Sequence, residues 1–224
     1  MKNIKRCLLI SLLVISKALD AQRINLKADN LEPNKVYMTF EKLNRKKVIK
    51  VVKDSTVTMF DEPTFVKLKN VHFKNGVIEV KVLSRVLKNA PASARGFIGV
   101  AFRIDEKNEK FESIYIRPTN GRADDQIRRN HSIQYFSYPD FKFDKLRKVS
   151  PEMYESYADM GLNEWIEMRI EVKDKEAQFF LNNSQYPVLV VKDLKHGENT
   201  EGGIGLWVEF GTEGFFRDLK IIKQ

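Results

Sequence analysis

Apolar and polar side chains alternate with a period of two along most of the chain, and groups of turn-forming residues interrupt the alternation. This pattern predicts twelve β-strands, at residues 36–40, 48–52, 64–68, 77–83, 97–104, 112–117, 132–136, 165–172, 177–181, 188–191, 203–210 and 215–222. No helical period is sustained, and only short helical turns are expected, near residues 151–157. Many short strands in 224 residues indicate an all-β domain, built as a sandwich or a barrel.

One predicted hairpin favours the sandwich. In 165–172 the even-numbered residues are all apolar, whereas the odd-numbered ones are Trp, Glu or Arg. Such a strand has one buried face and one solvated face. A polar turn at 173–176 leads into the return strand 177–181, and Asn182-Asn183 suits the following turn.

The second half of the chain resembles a known superfamily. The hairpin sequences EWIEMRIEV (164–172) and AQFFLNN (177–183), with the closing runs GGIGLWV (202–208) and GFFRDLKI (214–221), resemble concanavalin A-like lectin/glucanase domains. The 3-keto-disaccharide hydrolase-type and laminin G-like domains share this ending, and the run 114–135 is similar to uncharacterised exported bacterial proteins of the superfamily. The resemblance covers about 97–222 and implies a two-sheet antiparallel β-sandwich, a jelly roll with its ligand on the concave sheet. It does not imply one activity, because many activities occupy this fold.

The N-terminus has the pattern of a secretory signal peptide. Basic residues at positions 2, 5 and 6 precede an apolar stretch at 7–16 that is too short to span a bilayer, and Ala21 offers a small residue for cleavage. Cleavage after Ala18 is the alternative. We therefore expect a signal peptide at 1–21, a polar lead-in at 22–34 and a single β-sandwich domain at 35–224, secreted or periplasmic and without a membrane span.

The net charge and the cysteine content limit the classes of partner and of chemistry that we expect. The net charge of +9 becomes +6 once 1–21 is removed, with 35 basic and 29 acidic residues left. A basic exported protein suits an anionic polysaccharide or lipopolysaccharide better than nucleic acid, which we do not expect as a partner, although lysine-rich loops can serve solubility alone. Cys7 is the only cysteine, so the mature chain has no disulfide, thiol nucleophile or thiolate metal site. Nothing in the sequence indicates an oligomeric state.

Three predicted strands suggest a sugar-binding surface. The strands 97–104, 112–117 and 203–210 each have one mixed face and one face that is apolar apart from Glu112. Besides glycine and alanine, the mixed faces carry Arg103, Tyr115, Arg117, Trp207 and Glu209. Small residues leave room above a sheet, aromatic rings suit sugar C–H faces, and Arg and Glu form directional hydrogen bonds with hydroxyls. The alternative is that Trp207 and Tyr115 pack under a loop and that Arg117 pairs with Glu209.

The polar segment 118–131 follows the strand that carries Tyr115 and Arg117. Function often lies in such a loop, and we expect ligand contacts from Asn120 and Arg128, and from Gln134 and Tyr135 in the next strand. Asp124 and Asp125 could hold Ca²⁺ through carboxylate oxygens, with help from Asn120. The alternative is that these aspartates pair with nearby arginines.

The candidates for catalysis are His131, Arg117 and Glu209. The chain has no E-x-D-x-E motif of the retaining glucanases of this fold, and no H-E-x-x-H or G-x-S-x-G motif. A lyase or hydrolase outside these patterns could use a Tyr or His as acid or base and an Arg to neutralise a uronate.

Three hypotheses therefore remain open. The first is a carbohydrate-binding or carbohydrate-processing module that takes a poly- or oligosaccharide. The second is a glycoside hydrolase or polysaccharide lyase that uses the loop from Arg117 to His131. The third is a structural or adhesion domain that binds a protein through a flat apolar patch.

Overall fold

The computed structural model describes residues 21–224, so the predicted signal peptide lies outside the described residues apart from Ala21. These residues form fifteen strands, a short 3-10 helix at Ala28–Asn30 and three short α-helices. The strands are β1 (Ala21–Arg23), β2 (Leu31–Asn34), β3 (Val36–Leu43), β4 (Lys46–Lys53), β5 (Phe65–Leu68), β6 (Gly76–Val86), β7 (Ile98–Ile104), β8 (Phe111–Ile116), β9 (Ile133–Tyr138), β10 (Glu155–Ser156), β11 (Ile166–Lys173), β12 (Glu176–Leu181), β13 (Leu189–Val191), β14 (Gly203–Val208) and β15 (Thr212–Lys223). The helices are α1 (Pro118–Gly121), α2 (Gln126–Asn130) and α3 (Phe143–Val149).

The strands form two antiparallel sheets. Sheet A has the order β13-β12-β11-β6-β15-β4-β3, with β1 paired to β15, and sheet B has the order β10-β9-β8-β7-β14-β5-β2. The chain crosses from sheet B to sheet A between β14 and β15, at Gly211, whose φ of 68° lies in the left-handed region. The fold is an all-β antiparallel sandwich with a jelly-roll architecture, as predicted.

All twelve predicted strands overlap observed ones. The hairpin β11–β12 shows the predicted alternation, since the even-numbered residues of β11 are buried, and Asn182 and Asn183 turn the chain with positive φ. The sequence does not predict β1, β2 or β10. The predicted polar lead-in contains β2, which pairs with β5 and buries Leu31. Residues 151–154 form turns, and the short helices lie elsewhere, at α1 to α3.

The central strands of sheet B are buried on both faces. Every residue of β7, β8 and β14 is buried, which agrees with the alternative that Trp207 and Tyr115 pack under a loop and not with an open sugar-binding face on these strands. On the face away from sheet A, the glycines face neighbouring side chains: a Cβ at Gly99 would lie 2.5 Å from Tyr115 Cβ, and one at Gly205 would lie 2.9 Å from Phe65 Cγ. The space that glycine leaves above this sheet is therefore filled by the protein's own rings.

The three helices and the loop before β5 lie at one end of this outer face. The helix α3 packs against β9 through the buried Leu146, and the carbonyl of Glu62 accepts a hydrogen bond from Trp207 Nε1 at 2.9 Å. This arrangement leaves a pocket at the end of sheet B.

Within residues 21–224, the longest α-helix has seven residues, and none is long and apolar enough to cross a bilayer.

Candidate functional site: an arginine-aromatic pocket

A pocket of about 270 Å³ opens where β8 and β14 end and where β7 and β9 begin. Its lining combines aromatic rings, arginines and carboxyl groups, most of them from the loops next to these strands and from the three helices. The lining residues are Phe60, Asp61, Ser93, Arg95, Phe97, Tyr115, Arg117, Asn120, Arg128, His131, Phe143, Arg147, Glu209 and Phe210. We call it the arginine-aromatic pocket.

One side of the pocket is a continuous row of five aromatic rings, which we call the aromatic wall. Phe60 contacts Phe143 edge-on at 6.2 Å between ring centroids and Phe210 at 5.2 Å. Phe97 continues the row, at 5.3 Å from Phe210 and 6.1 Å from Tyr115. Phe60 is 48% exposed, whereas Tyr115 is buried at the far end. The wall therefore presents apolar surface to a ligand from solvent inward.

Arg117 organises the inner end of the pocket. Its guanidinium donates to the carbonyl of His131 at 2.9 Å, to Tyr115 Oη at 2.8 Å, to Gln134 Oε1 at 3.1 Å and to Glu155 Oε1 at 3.2 Å. Arg117 is 5% exposed, and these hydrogen bonds use most of the N–H donors of its guanidinium. Its contribution is to hold Tyr115 and the start of β9 in place.

Glu155, from the short strand β10, is the shared carboxylate of the site. Besides Arg117, it accepts from Arg147 Nε at 2.9 Å, and His131 Nδ1 lies 3.0 Å from its Oε1. Burial alone would raise the pKa of Glu155, but the Arg147 hydrogen bond and the charges of Arg117 and Arg147 outweigh burial and hold this pKa below its usual value. Burial lowers the pKa of His131, which favours the neutral form of its imidazole.

The other two arginines of the pocket have no acidic partner. Within residues 21–224, no carboxylate oxygen lies within 4.0 Å of the guanidinium of Arg95 or Arg128. Burial lowers the pKa of Arg95, and the positive charges of Arg128 and Arg117 lower it further.

Two further carboxyl groups line the pocket, and both are buried. Glu209 accepts from Lys53 Nζ, from the Phe210 amide at 2.8 Å and from the Asp61 amide at 2.8 Å. Asp61 Oδ2 accepts from the Phe143 amide at 2.7 Å. Burial raises the pKa of Asp61 to about 7, with a further contribution from the charge of Glu209, so Asp61 is partly protonated at neutral pH.

The structure brings together six of the predicted site residues. Those that line the pocket are Tyr115, Arg117, Asn120, Arg128, His131 and Glu209. The three catalytic candidates, His131, Arg117 and Glu209, therefore lie in one site, but the hydrogen bonds of Arg117 and Glu209 are already used within the protein.

Four other predicted ligand residues are not available to a ligand, because each is fully buried outside the pocket. Trp207 lies beneath Tyr115, with ring centroids 4.8 Å apart. Arg103 sits at a bulge with φ of 54° and donates to three backbone carbonyls and to Asn75 Oδ1. Tyr135 points into the core and donates to Glu112 at 2.5 Å. Gln134 supports Arg117 from below. These four residues therefore do not line the arginine-aromatic pocket.

The predicted calcium site at Asp124 and Asp125 is not supported by the geometry. Asp125 Oδ1 caps α2, accepting from the amides of Ile127 and Arg128 at 2.8 and 3.2 Å. Asn120 faces Arg128 and the His131 carbonyl instead of the aspartates. Among residues 21–224 there is no group of three or more His, Cys, Asp or Glu side chains that could hold a metal ion.

Sequence reasoning missed more than half of the pocket. Phe60 and Asp61 come from the irregular loop before β5, Arg95 from the loop before β7, and Phe143 and Arg147 from α3. None of these segments has a strand period, which was the signal that located Tyr115, Arg117 and Glu209. The other predicted residues of the pocket came from the polar segment 118–131 that directly follows such a strand. The cluster FDE at 60–62 gave no indication that its aspartate would be buried.

A larger groove of about 800 Å³ lies beside sheet A, between residues 23–28 and the strands β3 and β4. Arg217 pairs with Asp218 and Glu41 with Lys50, whereas the other charged side chains of the groove, Arg23, Lys27, Lys42 and Lys47, form no ion pair within residues 21–224. It contains none of the predicted site residues. The arginine-aromatic pocket is therefore the better candidate site despite its smaller volume.

Comparisons with known proteins identify the fold. Three solved structures resemble this chain: the carbohydrate-binding module CBM66 from Bacillus subtilis, a candidate glycosyl hydrolase from Parabacteroides distasonis, and a Bacillus subtilis protein of unknown function with a galectin-like fold. The TM-scores are 0.53, 0.53 and 0.52, at 13%, 16% and 10% sequence identity. In the same order, the matches cover 84%, 92% and 92% of this chain, and 96%, 100% and 97% of the other protein's chain.

At these identities the likeness shows the fold alone, and it agrees with the jelly roll that the sequence resemblance implied. No protein-family model and no curated protein matches the sequence.

Proposed function

We propose that this protein is an exported carbohydrate-binding protein that holds one sugar unit of a glycan in the arginine-aromatic pocket. The observation that carries the proposal is the aromatic wall facing two arginines, Arg95 and Arg128, that have no acidic partner among residues 21–224. Export is proposed from the N-terminal sequence pattern alone.

The composition of the pocket suits a sugar. The C–H faces of a sugar ring pack on aromatic rings, and Phe60 and Phe210 offer such surface near the entrance. Guanidinium N–H groups donate to hydroxyl or carboxylate oxygens, for which Arg95 and Arg128 are placed. The volume is just below the ~300 Å³ at which small-molecule pockets usually begin, which favours a single sugar unit over a longer stretch of chain.

The likeness to a carbohydrate-binding module and to a candidate glycosyl hydrolase is in keeping with this proposal, although at 13% and 16% identity it concerns the fold. A structural or adhesion domain would instead offer a flat apolar patch to a protein. The exposed aromatic surface of Phe60 lies at the entrance of a concave site, which favours a small ligand.

One observation favours an enzyme as the second candidate function. Asp61 lines the pocket with a pKa of about 7, and a carboxyl group in that range can serve as a general acid near neutral pH. A glycoside hydrolase or a polysaccharide lyase would then use Asp61, with His131 nearby in the lining. Incubation with glycans, followed by assays for new reducing ends and for unsaturated uronates, tests this function. Products that Asp61→Asn still forms at the wild-type rate would contradict a catalytic Asp61.

The binding proposal is tested by a glycan array with the chain from residue 22 onward, followed by titration calorimetry on the best ligand. Phe60→Ala should weaken binding about thirtyfold, which corresponds to the roughly 2 kcal/mol typical of a central aromatic contact. Phe40→Ala is a matched control, because Phe40 is 49% exposed and lines the larger groove beside sheet A.

Loss of binding in Phe60→Ala with normal binding in Phe40→Ala supports the arginine-aromatic pocket. The reverse pattern would move the site to the larger groove. No binding to any glycan by a folded protein would contradict the proposed function altogether.

A further inference from the structure

We infer that the sugar held in the arginine-aromatic pocket is acidic, and that its oxyanion, a uronate carboxylate or a sulfate ester, binds between Arg95 and Arg128. This inference rests on the proposed function, which by itself leaves the charge of the sugar open.

Arg128 has hydrogen-bond donors left for a ligand. Among the described residues, its guanidinium makes a single long contact, from Nη2 to Asn120 Oδ1 at 3.4 Å. Its Nε is buried without a partner. A guanidinium carries five N–H donors, and leaving a buried one unsatisfied costs free energy. A ligand oxygen would supply the missing acceptor.

Arg95 is in a similar state. Its Nη1 donates to two carbonyls of its own loop, Ala92 at 2.6 Å and Ala94 at 2.9 Å. No hydrogen bond from its Nε or Nη2 is formed within residues 21–224. The side chain is partly buried and lines the pocket, so its remaining donors are within reach of a ligand there.

The pocket's own carboxyl groups do not neutralise this pair. Glu155 is bound by Arg117 and Arg147, and Glu209 by Lys53 and two backbone amides. Asp61 is held by the Phe143 amide and retains a proton in part of the molecules at neutral pH. Arg95 and Arg128 therefore form an uncompensated positive cluster, and their mutual repulsion is relieved when an oxyanion lies between them.

Neutral sugars are a weaker match for this arrangement. A hydroxyl accepts hydrogen bonds but brings no charge, so it leaves the repulsion between the two guanidiniums in place. A carboxylate or sulfate accepts several N–H donors at once and forms the shorter, stronger charge-assisted bonds. The aromatic wall beside the pair then receives the apolar face of the same sugar.

The experiment uses matched ligands. Hexasaccharides of galacturonate, glucuronate and mannuronate are compared with their carboxyl-reduced forms, which keep the sugar stereochemistry and lose the charge. Sulfated oligosaccharides form a separate arm that distinguishes a sulfate from a carboxylate, and inorganic sulfate serves as a competitor. We expect at least tenfold tighter binding of one acidic class than of its neutral counterpart, and a loss of that preference as salt rises.

Matched variants test which arginines bind the negative charge of the ligand. Arg128→Gln and Arg95→Gln should each weaken binding of the acidic ligand about tenfold and weaken binding of its neutral form by a clearly smaller factor, since a hydroxyl loses a hydrogen bond but no charge pairing. Arg122→Gln removes the same charge from the neighbouring loop, where Arg122 is paired with Asp159 and Glu164 outside the pocket, and should change neither. Thermal melting of every variant verifies that it folds.

The outcomes separate the two proposals. If acidic and neutral ligands bind equally well and both lose binding in Phe60→Ala, the inference of an acidic sugar is overturned and the proposed function stands. Arg122→Gln could also remove the preference for acidic ligands as strongly as Arg128→Gln does. That result would show a general effect of net charge and would overturn the site between Arg95 and Arg128. Binding of no oligosaccharide in either class would overturn the acidic sugar, and the absence of any binding on the glycan array as well would overturn both proposals.

Discussion

Replacing Asp61 with Asn should stabilise the protein at high pH. Asp61 is buried, and its pKa rises from 3.8 in the unfolded chain to about 7 in the folded protein. The folded chain therefore retains a proton that the unfolded chain releases near pH 4. Stability consequently falls as the pH rises from about 4 to 7, and this penalty is constant above pH 7. Asn carries no charge and still offers an oxygen to the Phe143 amide.

The magnitude follows from the shift. About three pKa units at roughly 1.4 kcal/mol each give a penalty of about 4 kcal/mol above pH 7, and about 1.7 kcal/mol at pH 5. The advantage of Asp61→Asn over the wild type should therefore grow by about 2.5 kcal/mol between pH 5 and pH 8. For a chain of this size, that corresponds to roughly 5–10 °C in melting temperature.

Urea unfolding of wild type and Asp61→Asn at several pH values between 5 and 8, followed by tryptophan fluorescence, measures this difference. Using the difference cancels the contribution of the distant buried carboxyl group Glu112, whose pKa burial also raises. Asp124→Asn is the control, because Asp124 is an exposed aspartate in the loop between α1 and α2. Parallel pH–stability curves for wild type and Asp61→Asn would refute the reasoning.

Three further substitutions test the packing beneath the pocket. Trp207→Ala should cost about 3–5 kcal/mol, because it empties a fully buried site, and a loss below 1 kcal/mol in urea unfolding would contradict that burial. Lys53→Met should destabilise the protein by about 3–5 kcal/mol, because it leaves Glu209 buried without its ammonium partner. The double variant Lys53→Met/Glu209→Gln should recover most of that stability. Equal losses of stability in the single and double variants would argue against a stabilising ion pair. Glu155→Gln should lower the melting temperature because the buried Arg117 loses its carboxylate, and an unchanged melting temperature would show that this ion pair contributes nothing.

The sequence predicted the strands well because a half-buried strand imposes a period of two that can be recognised locally. Each of the twelve predicted segments overlaps a strand. The same alternation correctly placed Tyr115 and Arg117 together on the outer face of β8. It could not decide whether a loop covers that face, because the covering residues come from loops far along the chain.

Trp207 shows this limit most clearly. Alternation placed its ring away from the apolar face of β14, and the structure agrees, since Trp207 lies opposite Gly99 and Phe65 in the neighbouring strands. Its burial depends on the loop that ends at Glu62, which has no periodic pattern. Asp61 was missed for the same reason, because burial by distant segments leaves no local signal in the sequence. The bulge at Arg103 likewise changed the direction of a side chain that strict alternation would expose.

The most direct test of the central claim is a crystal structure of the protein with the glycan that binds best on the array. We predict one sugar unit packed on Phe60 and Phe210, with its polar groups within hydrogen-bond distance of Arg95 and Arg128. A glycan bound in the groove beside Phe40, or anywhere on sheet A, would contradict the account.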